Sequence, residues 1–291
     1  MKVGQRFDGL LSNIAITKDQ EEDGVTKHTG IRFCLNKHYY SVTSGYANSM
    51  LNGSWGKLTR VRPVRDIDVL FVLPYSVYQR FEIVAGNKQS QLLQEVKSVL
   101  ARTYSATKMR GDGQVVVVPF ASQPVEVAPA FRWNTGRYWI CNTHDGGKYK
   151  EIDPDAEIKA IVDSDAASGG NTRHLSRMLK KWQENCSVPL KSFVLELLSI
   201  EFIASWPYRG KSSTYYDWMV RDFFAFLTNK TGSYVFVPGI FEIVWLGNEW
   251  KSRADSAHER AVRGCEYEAA DKDFDAWWEW SHIFGNDVPR D

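Results

Sequence analysis

Several things are scarce in this 291-residue chain, and each scarcity excludes a class of protein. Its four cysteines, Cys34, Cys141, Cys186 and Cys265, form no CxxC pair and have no histidine at ligand spacing. That argues against a zinc module and a disulfide framework and makes the reduced cytoplasm the expected home. Neither charge is in excess: 36 Lys and Arg against 35 Asp and Glu leave a formal net charge of +1. No general basic surface is available for a long duplex, so any nucleic-acid contact is expected to be local. The N-terminal "MKVGQRFDGLLSNIAITKDQEED" lacks an apolar h-region, and Glu196 and Glu201 interrupt the longest apolar stretch, "FVLELLSIEFIASW", so no membrane span is expected. No internal repeat or low-complexity segment is seen. What the chain does have is 43% hydrophobic and 13% aromatic residues, enough for the core of one large or two modest domains.

The pattern along the chain changes character near residue 150, which predicts two domains, 1–150 and 151–291. In the first, Thr17 and Gln20 stand at capping-box spacing, and Val25, His28, Arg32, Leu35 and Tyr39 recur at helical intervals, predicting a long helix to about Tyr40. A strand is predicted over Ile67–Leu73, stopped by Pro74, and a helix over "SQLLQEVKSVLARTY". Two more strands follow, "QVVVVPFA" and "PVEVAPAF", with "GDG" at 111–113 read as the turn before them. The expectation is an α+β fold, a mixed sheet with helices on one face. Beyond Asp153, "TRHLSRMLKKWQENC", "PLKSFVLELLSIEFIASW", "STYYDWMVRDFFAFLTN" and "DKDFDAWWEWSHIFG" predict a mostly helical second domain.

One stretch carries chemistry. In "GSWGKLTRVRPVRDIDVLFVLP", residues 53–74, a small-residue turn precedes a strand that opens with Asp66 and Asp68. Side chains alternate across a strand, so both carboxylates project from one face while Ile67 and Val69 pack on the other. Two close carboxylates repel unless a cation lies between them, and hard oxygen ligands suit Mg²⁺. Glu126, alone among apolar residues in "VEVAPAF", is the candidate third carboxylate of a two-metal site. Gly53 and Ser54 form a turn whose amides and hydroxyl can hold phosphate oxygens. A DxD pair or a GS pair alone is most often only a strand end or a turn; the combination is what points to nucleotide chemistry.

"GSWGKLT" with "DIDVLFVLP" and "VEVAPAF" resembles the signature of DNA polymerase β-like nucleotidyltransferases, a small-residue turn followed by three acidic strand positions. Over nearly its whole length the chain is similar to the bacterial relatives of cyclic GMP-AMP synthase and oligoadenylate synthase (CD-NTases), the signalling enzymes of CBASS anti-phage defence. "RMLKKW" matches the family's helix with a phosphate-binding lysine, which implies that role for Lys180. "KSFVLELL" matches its serine followed by an aromatic, which implies a triphosphate contact for Ser192 and base stacking for Phe193. "WSHIFGNDVP" resembles the family's C-terminal segment. The resemblance implies a nucleotidyltransferase lobe, a C-terminal helical lobe like that of oligoadenylate synthase, and an active-site cleft between them. It implies Mg²⁺, or Mn²⁺, as cofactor and nucleoside triphosphates, ATP and GTP foremost, as substrates. The implied product is a cyclic di- or trinucleotide messenger, made with release of pyrophosphate and read by a separate effector. The chain departs from the family at Glu126, where Asp is more usual, and lacks the zinc insertion of the animal DNA sensor.

Two other readings stay open from sequence: transfer to an RNA, protein or small-molecule acceptor, and a non-catalytic nucleotide sensor. Each auxiliary residue also has a plain reading. Lys180 beside Lys181 reads as a solvated helix face, Ser192 as a helix N-cap and Phe193 as core. Trp277, Trp278 and Trp280 read as packing, and Arg60, Arg62 and Arg65 equally as nucleotide-steering cations or an exposed edge. His28, His38 and His174 are assigned no partner.

Overall fold

A computed structural model of the chain describes residues 1–290. In chain order its helices are α1 (Val3–Ile14), α2 (Lys18–Tyr39), α3 (Gly53–Lys57), α4 (Tyr75–Glu82), α5 (Lys88–Ala101), α6 (Pro154–Ala167), α7 (Asn171–Asn185), α8 (Ser192–Ser205), α9 (Tyr216–Thr228), α10 (Lys251–Ala269) and α11 (Asp273–Phe284). Its strands are β1 (Ser49–Leu51), β2 (Ile67–Val72), β3 (Arg110–Asp112), β4 (Val115–Val118), β5 (Val125–Arg132), β6 (Tyr138–Asn142), β7 (Lys148–Ile152), β8 (Tyr234–Phe236) and β9 (Ile243–Trp245). Two compact units result: Ile16–Lys57 with Val64–Asp155, and Met1–Ala15 with Leu58–Pro63 and the chain from Ala156 onward. Where a single division at residue 150 is expected, α1 and residues 58–63 group with the helices. Among the described residues no helix is long and apolar enough to cross a membrane.

The first unit is a seven-stranded mixed sheet in the order β1-β2-β5-β4-β3, with β6 pairing with β5 and β7 with β6. Its β2–β5 pair is parallel, and its other pairs are antiparallel. Ile67, Val69 and Phe71 of β2 and Val125, Val127 and Phe131 of β5 face a core shared with α2, α4 and α5, so these helices cover one sheet face, as expected. On the opposite face Leu70, Ala130, Tyr138 and Ile140 make a smaller apolar cluster. The long helix forms as its sequence predicts: the Thr17 hydroxyl accepts from the Gln20 amide at 3.2 Å, and Gln20 Oε1 accepts from the Thr17 amide at 2.9 Å. Its buried stripe differs from the expected one, however. Gly24, His28, Ile31 and Leu35 point inward, whereas Val25 is exposed, because the Trp55 ring lies so close to Gly24 that an added Cβ would stand 2.8 Å from its Cζ2.

The second unit is helical, with a small β8–β9 hairpin. Its core is aromatic and draws Phe7 from α1, Trp182 from α7, Phe223 and Phe224 from α9, and Trp280 and Phe284 from α11. The Arg6 guanidinium is buried here because Glu268 and Asp273 each accept from it at 2.7 Å. Of the three tryptophans read as packing, Trp280 is in the core, Trp277 packs at its edge and Trp278 is exposed.

Asp217 is buried in this unit, and burial is the main cause that pushes its carboxyl from 3.8 up to about 6. A raised carboxylate contributes stability while protonated, and that contribution is lost as the pH rises from about 4 through about 6. Asp217→Asn is therefore expected to melt higher than the wild type at pH 7.5, by on the order of 2–3 kcal/mol, and to match it near pH 3.5. Differential scanning calorimetry at the two pH values checks this, and an Asn variant less stable at pH 7.5 would refute it.

Candidate functional site

The three expected carboxylates fall in the sheet unit, on the face away from α2 and α5. Asp68 of β2 stands in register with Glu126 of β5, and Glu126 in turn stands opposite Val117 of β4. Adjacent strands lie about 4.8 Å apart, so the two acidic positions are direct neighbours. Asp66 stands two residues upstream of Asp68, directly before β2, and its charge reaches Glu126. All three residues are half-buried.

The turn at Gly53 is fitted to this pair of strands. Gly53 opens α3 at φ +52°, and a Cβ built on it would stand 2.7 Å from the Asp68 Cγ. Glycine is required twice over, by the left-handed backbone and by the carboxylate packed against it. The segment is tied to β2 at both acidic residues: the Asn52 amide donates to the Asp68 carbonyl at 2.9 Å, and the Trp55 indole donates to the Asp66 carbonyl at 3.0 Å. Ser54 lies between these two ties. Gly53→Ala is expected to push the Asp68 carboxylate aside and to add about 1–2 kcal/mol of backbone strain. It should abolish product formation while the sheet unit keeps its circular dichroism; full activity in the Ala variant would refute the fit.

Electrostatics sharpen the picture. Burial, then the charges of Asp66 and Asp112, raise the Glu126 carboxyl above its ordinary value, and Arg110 opposes them. Asp112 is an addition that the sequence does not reveal. "GDG" reads as a turn, but Gly111 and Asp112 belong to β3, whose hairpin with β4 brings Asp112 into reach of Glu126. Among the described residues no three His, Cys, Asp or Glu side chains are gathered as a metal-ligand group. The acidic residues fit a hard divalent cation in donor type, backbone register and mutual repulsion, and their side chains are not closed around one.

The other expected site residues lie in the helical unit, along the α7–α8 pair. Lys180 is not on a solvated helix face: it is 6% exposed, and its ammonium donates to Glu196 at 2.6 Å and to the Thr59 hydroxyl at 2.8 Å. Thr59 also donates to Glu196, which closes the triangle. One turn further along α7, Gln183 accepts from the Ser192 hydroxyl at 2.7 Å. Ser192 is thus the first residue of α8, not its N-cap, which is Lys191. Phe193 is half-buried against the aromatic core. The histidines left without partners have them: His28 meets Ser49 at 3.1 Å, His174 meets Tyr216 at 2.6 Å, and His38 packs edge-on against Tyr39.

Known proteins match this chain along its length. A mutant of the Vibrio cholerae di-nucleotide cyclase (DncV), solved in complex with ATP, GTP and 5MTHFGLU2, superposes with a TM-score of 0.73 at 14% identity, covering 99% of this chain and 97% of that one. Escherichia coli MS115-1 CdnC, solved with ATP, superposes with a TM-score of 0.68 at 15% identity, covering 99% and 98%. A probable cyclic nucleotide synthase of Bacillus cereus (strain VD146) is 20% identical across 97% of this chain and 96% of its own length. The fold is that of the polymerase β-like nucleotidyltransferases with a helical lobe. The chain belongs to the family of the Second Messenger Oligonucleotide or Dinucleotide Synthetase domain, whose model matches residues 1–165. It is accordingly a nucleotidyltransferase, and among these a CD-NTase of the cyclic nucleotide synthase kind.

Proposed function

We propose that this enzyme joins ATP and/or GTP, or other nucleoside triphosphates, into a cyclic di- or trinucleotide that serves as a second messenger in anti-phage signalling, with release of pyrophosphate. The observation that carries the reading is the register of Asp68 with Glu126, with the Asp66 charge acting on Glu126 and Gly53 packed against Asp68. Both named neighbours are solved with ATP, and one of them with GTP as well.

In this reading Asp66, Asp68 and Glu126 would hold Mg²⁺ or Mn²⁺, which supplies activation of the acceptor hydroxyl and neutralisation of charge at the α-phosphate. Ser54 and the amides beside Gly53 bind phosphate oxygens. A 2′- or 3′-hydroxyl oxygen attacks the α-phosphorus as the bond to the pyrophosphate oxygen breaks, a displacement that needs positioning and charge stabilisation but no protein nucleophile. Ser192 contacts the triphosphate, and Phe193 offers a face to a base. Lys180 is the matched phosphate residue; with its ammonium engaged by Glu196 and Thr59, it reaches a phosphate only by exchanging one of them.

The test is to incubate the purified protein with all four ribonucleoside triphosphates and Mg²⁺ or Mn²⁺, treat with phosphatase and measure resistant products by mass spectrometry. A resistant cyclic dinucleotide or trinucleotide is expected and names the bases. Absence of both product and pyrophosphate with either metal counts against the synthase reading.

A further inference from the structure

We infer that the outer face of the β8–β9 hairpin is a self-association surface, on which a second copy of this chain docks about a two-fold axis. The hairpin is a two-stranded sheet of its own, with Tyr234 opposite Trp245 and Phe236 opposite Ile243. Its inner side chains, Val235, Val244 and Leu246, pack on the aromatic core of the helical unit. The alternating positions point the other way. Tyr234, Phe236 and Ile243 are 42–49% exposed, Trp245 is 69% exposed, and Phe241 in the connecting loop is 72% exposed. The rings are already assembled: Tyr234 meets Phe236 and Trp245 edge-on, with centroids 5.2 and 5.3 Å apart. That packing orders the side chains while leaving their outer sides to water, so docking costs little further rotamer freedom. Phe241 holds a left-handed backbone, φ +53°, which strains a bulky residue, and the ring so placed lies in solvent.

Size, charge and shape name the occupant. Five such residues expose on the order of 600 Å² of apolar surface, the upper end of what a lone soluble chain shows in one patch. Doubled across a two-fold axis this gives about 1,200 Å², the lower bound of a specific interface. Between Thr231 and Asn248 the only charged residue is Glu242, in a chain that is 24% charged. A two-fold contact sets each group near its own copy, and this face brings almost no like charge together. The absence of Lys and Arg from the segment removes the attraction to anionic lipid that a membrane-bound aromatic face uses. Beside the hairpin lies a groove of about 580 Å³, lined by Leu197 and Ile200 of α8 and by Tyr234, Phe236 and Pro238. The two charged residues in its lining, Glu201 and Lys230, are paired with each other. Projecting rings and an apolar groove on one copy are the two halves of an isologous contact, in which each copy receives the other's ring and the assembly closes at two.

Sedimentation equilibrium on the full chain over a wide concentration range tests this, with the fold followed by circular dichroism. The wild type is expected to pass from 33.3 kDa toward twice that mass as concentration rises. Trp245→Glu sets two like charges across the axis and should weaken association by about 30-fold or more. Because that change can also disturb the hairpin, Phe241→Gly is the second probe. It removes the ring and relieves the left-handed strain, so the dissociation constant should rise about 10-fold while the dilute, monomeric variant melts no lower than the wild type. A ring that served only to hold the hairpin together would instead lower the melting temperature when removed. Trp278→Ser, at an exposed aromatic of α11, should leave association unchanged. A wild type that stays at 33.3 kDa throughout overturns the proposal, as does a dimer that both hairpin variants retain in full or that Trp278→Ser weakens equally. A wild type that stays monomeric but sediments with phosphatidylcholine vesicles, and loses that binding in Phe241→Gly, overturns it in favour of a membrane. Mass is the readout, so the result stands whether or not the protein makes a cyclic product.

Discussion

Asp68→Asn should leave a folded protein that makes no measurable cyclic product. The substitution is close to isosteric, and the ties that hold this part of β2, from the Asn52 amide to the Asp68 carbonyl and from the Trp55 indole to the Asp66 carbonyl, use backbone oxygens that the variant retains. What it removes is one negative charge beside Glu126, whose carboxyl already feels the charges of Asp66 and Asp112. A bound divalent cation supplies several kcal/mol of charge stabilisation in a transition state, and at about 1.4 kcal/mol per tenfold its loss means a drop of roughly 10³-fold or more. Product is read by mass spectrometry after phosphatase, pyrophosphate release independently, and the fold by circular dichroism. A variant that still makes product at a rate near the wild type would remove Asp68 from the site, and the two-carboxylate reading with it.

The second large effect concerns stability before activity. Lys180→Met removes the buried ammonium that donates to Glu196, 3% exposed, and to the Thr59 hydroxyl. Breaking a buried ion pair from one side costs about 3–5 kcal/mol. For a chain of this size that corresponds to a fall in Tm of roughly 10 °C. Lys180→Met with Glu196→Leu should recover most of the loss, because a pair of apolar side chains carries no unpaired charge. Activity in this double variant then separates two roles. If it stays low in a protein with wild-type melting, Lys180 contributes to phosphate binding itself; if it returns, the lysine serves to hold Thr59 and the segment after it. Equal stability of the single variant and the wild type would show that the pair contributes nothing.

Much of the acidic site was legible because its signals are local. The two-residue period of a strand puts Asp66 and Asp68 on one face whatever surrounds them, and a glycine followed by serine before such a strand marks a turn by backbone freedom alone. The capping box of α2 is equally local, and it formed as read. Elements whose burial depends on a distant partner were harder. α10 carries a stripe of small residues, Ala254, Ala257, Ala261 and Gly264, with no large apolar period, and it is packed because Trp280 of α11 lies against Gly264. α1 belongs with the helical unit through Phe7 and the paired Arg6, although it precedes the whole sheet unit in the chain.

The sequence by itself determined the class of chemistry: three acidic positions on or beside strands, a glycine–serine turn, and a helical half that begins near residue 150. Only the tertiary structure decided that β5 lies parallel to β2 in the register that sets Glu126 beside Asp68, that the charge of Asp112 reaches Glu126, and that Lys180 is buried against Glu196 and Thr59. The division has a physical cause. Face and turn follow from backbone geometry over a few residues, whereas register, burial and charge balance are set by which distant segments pack together.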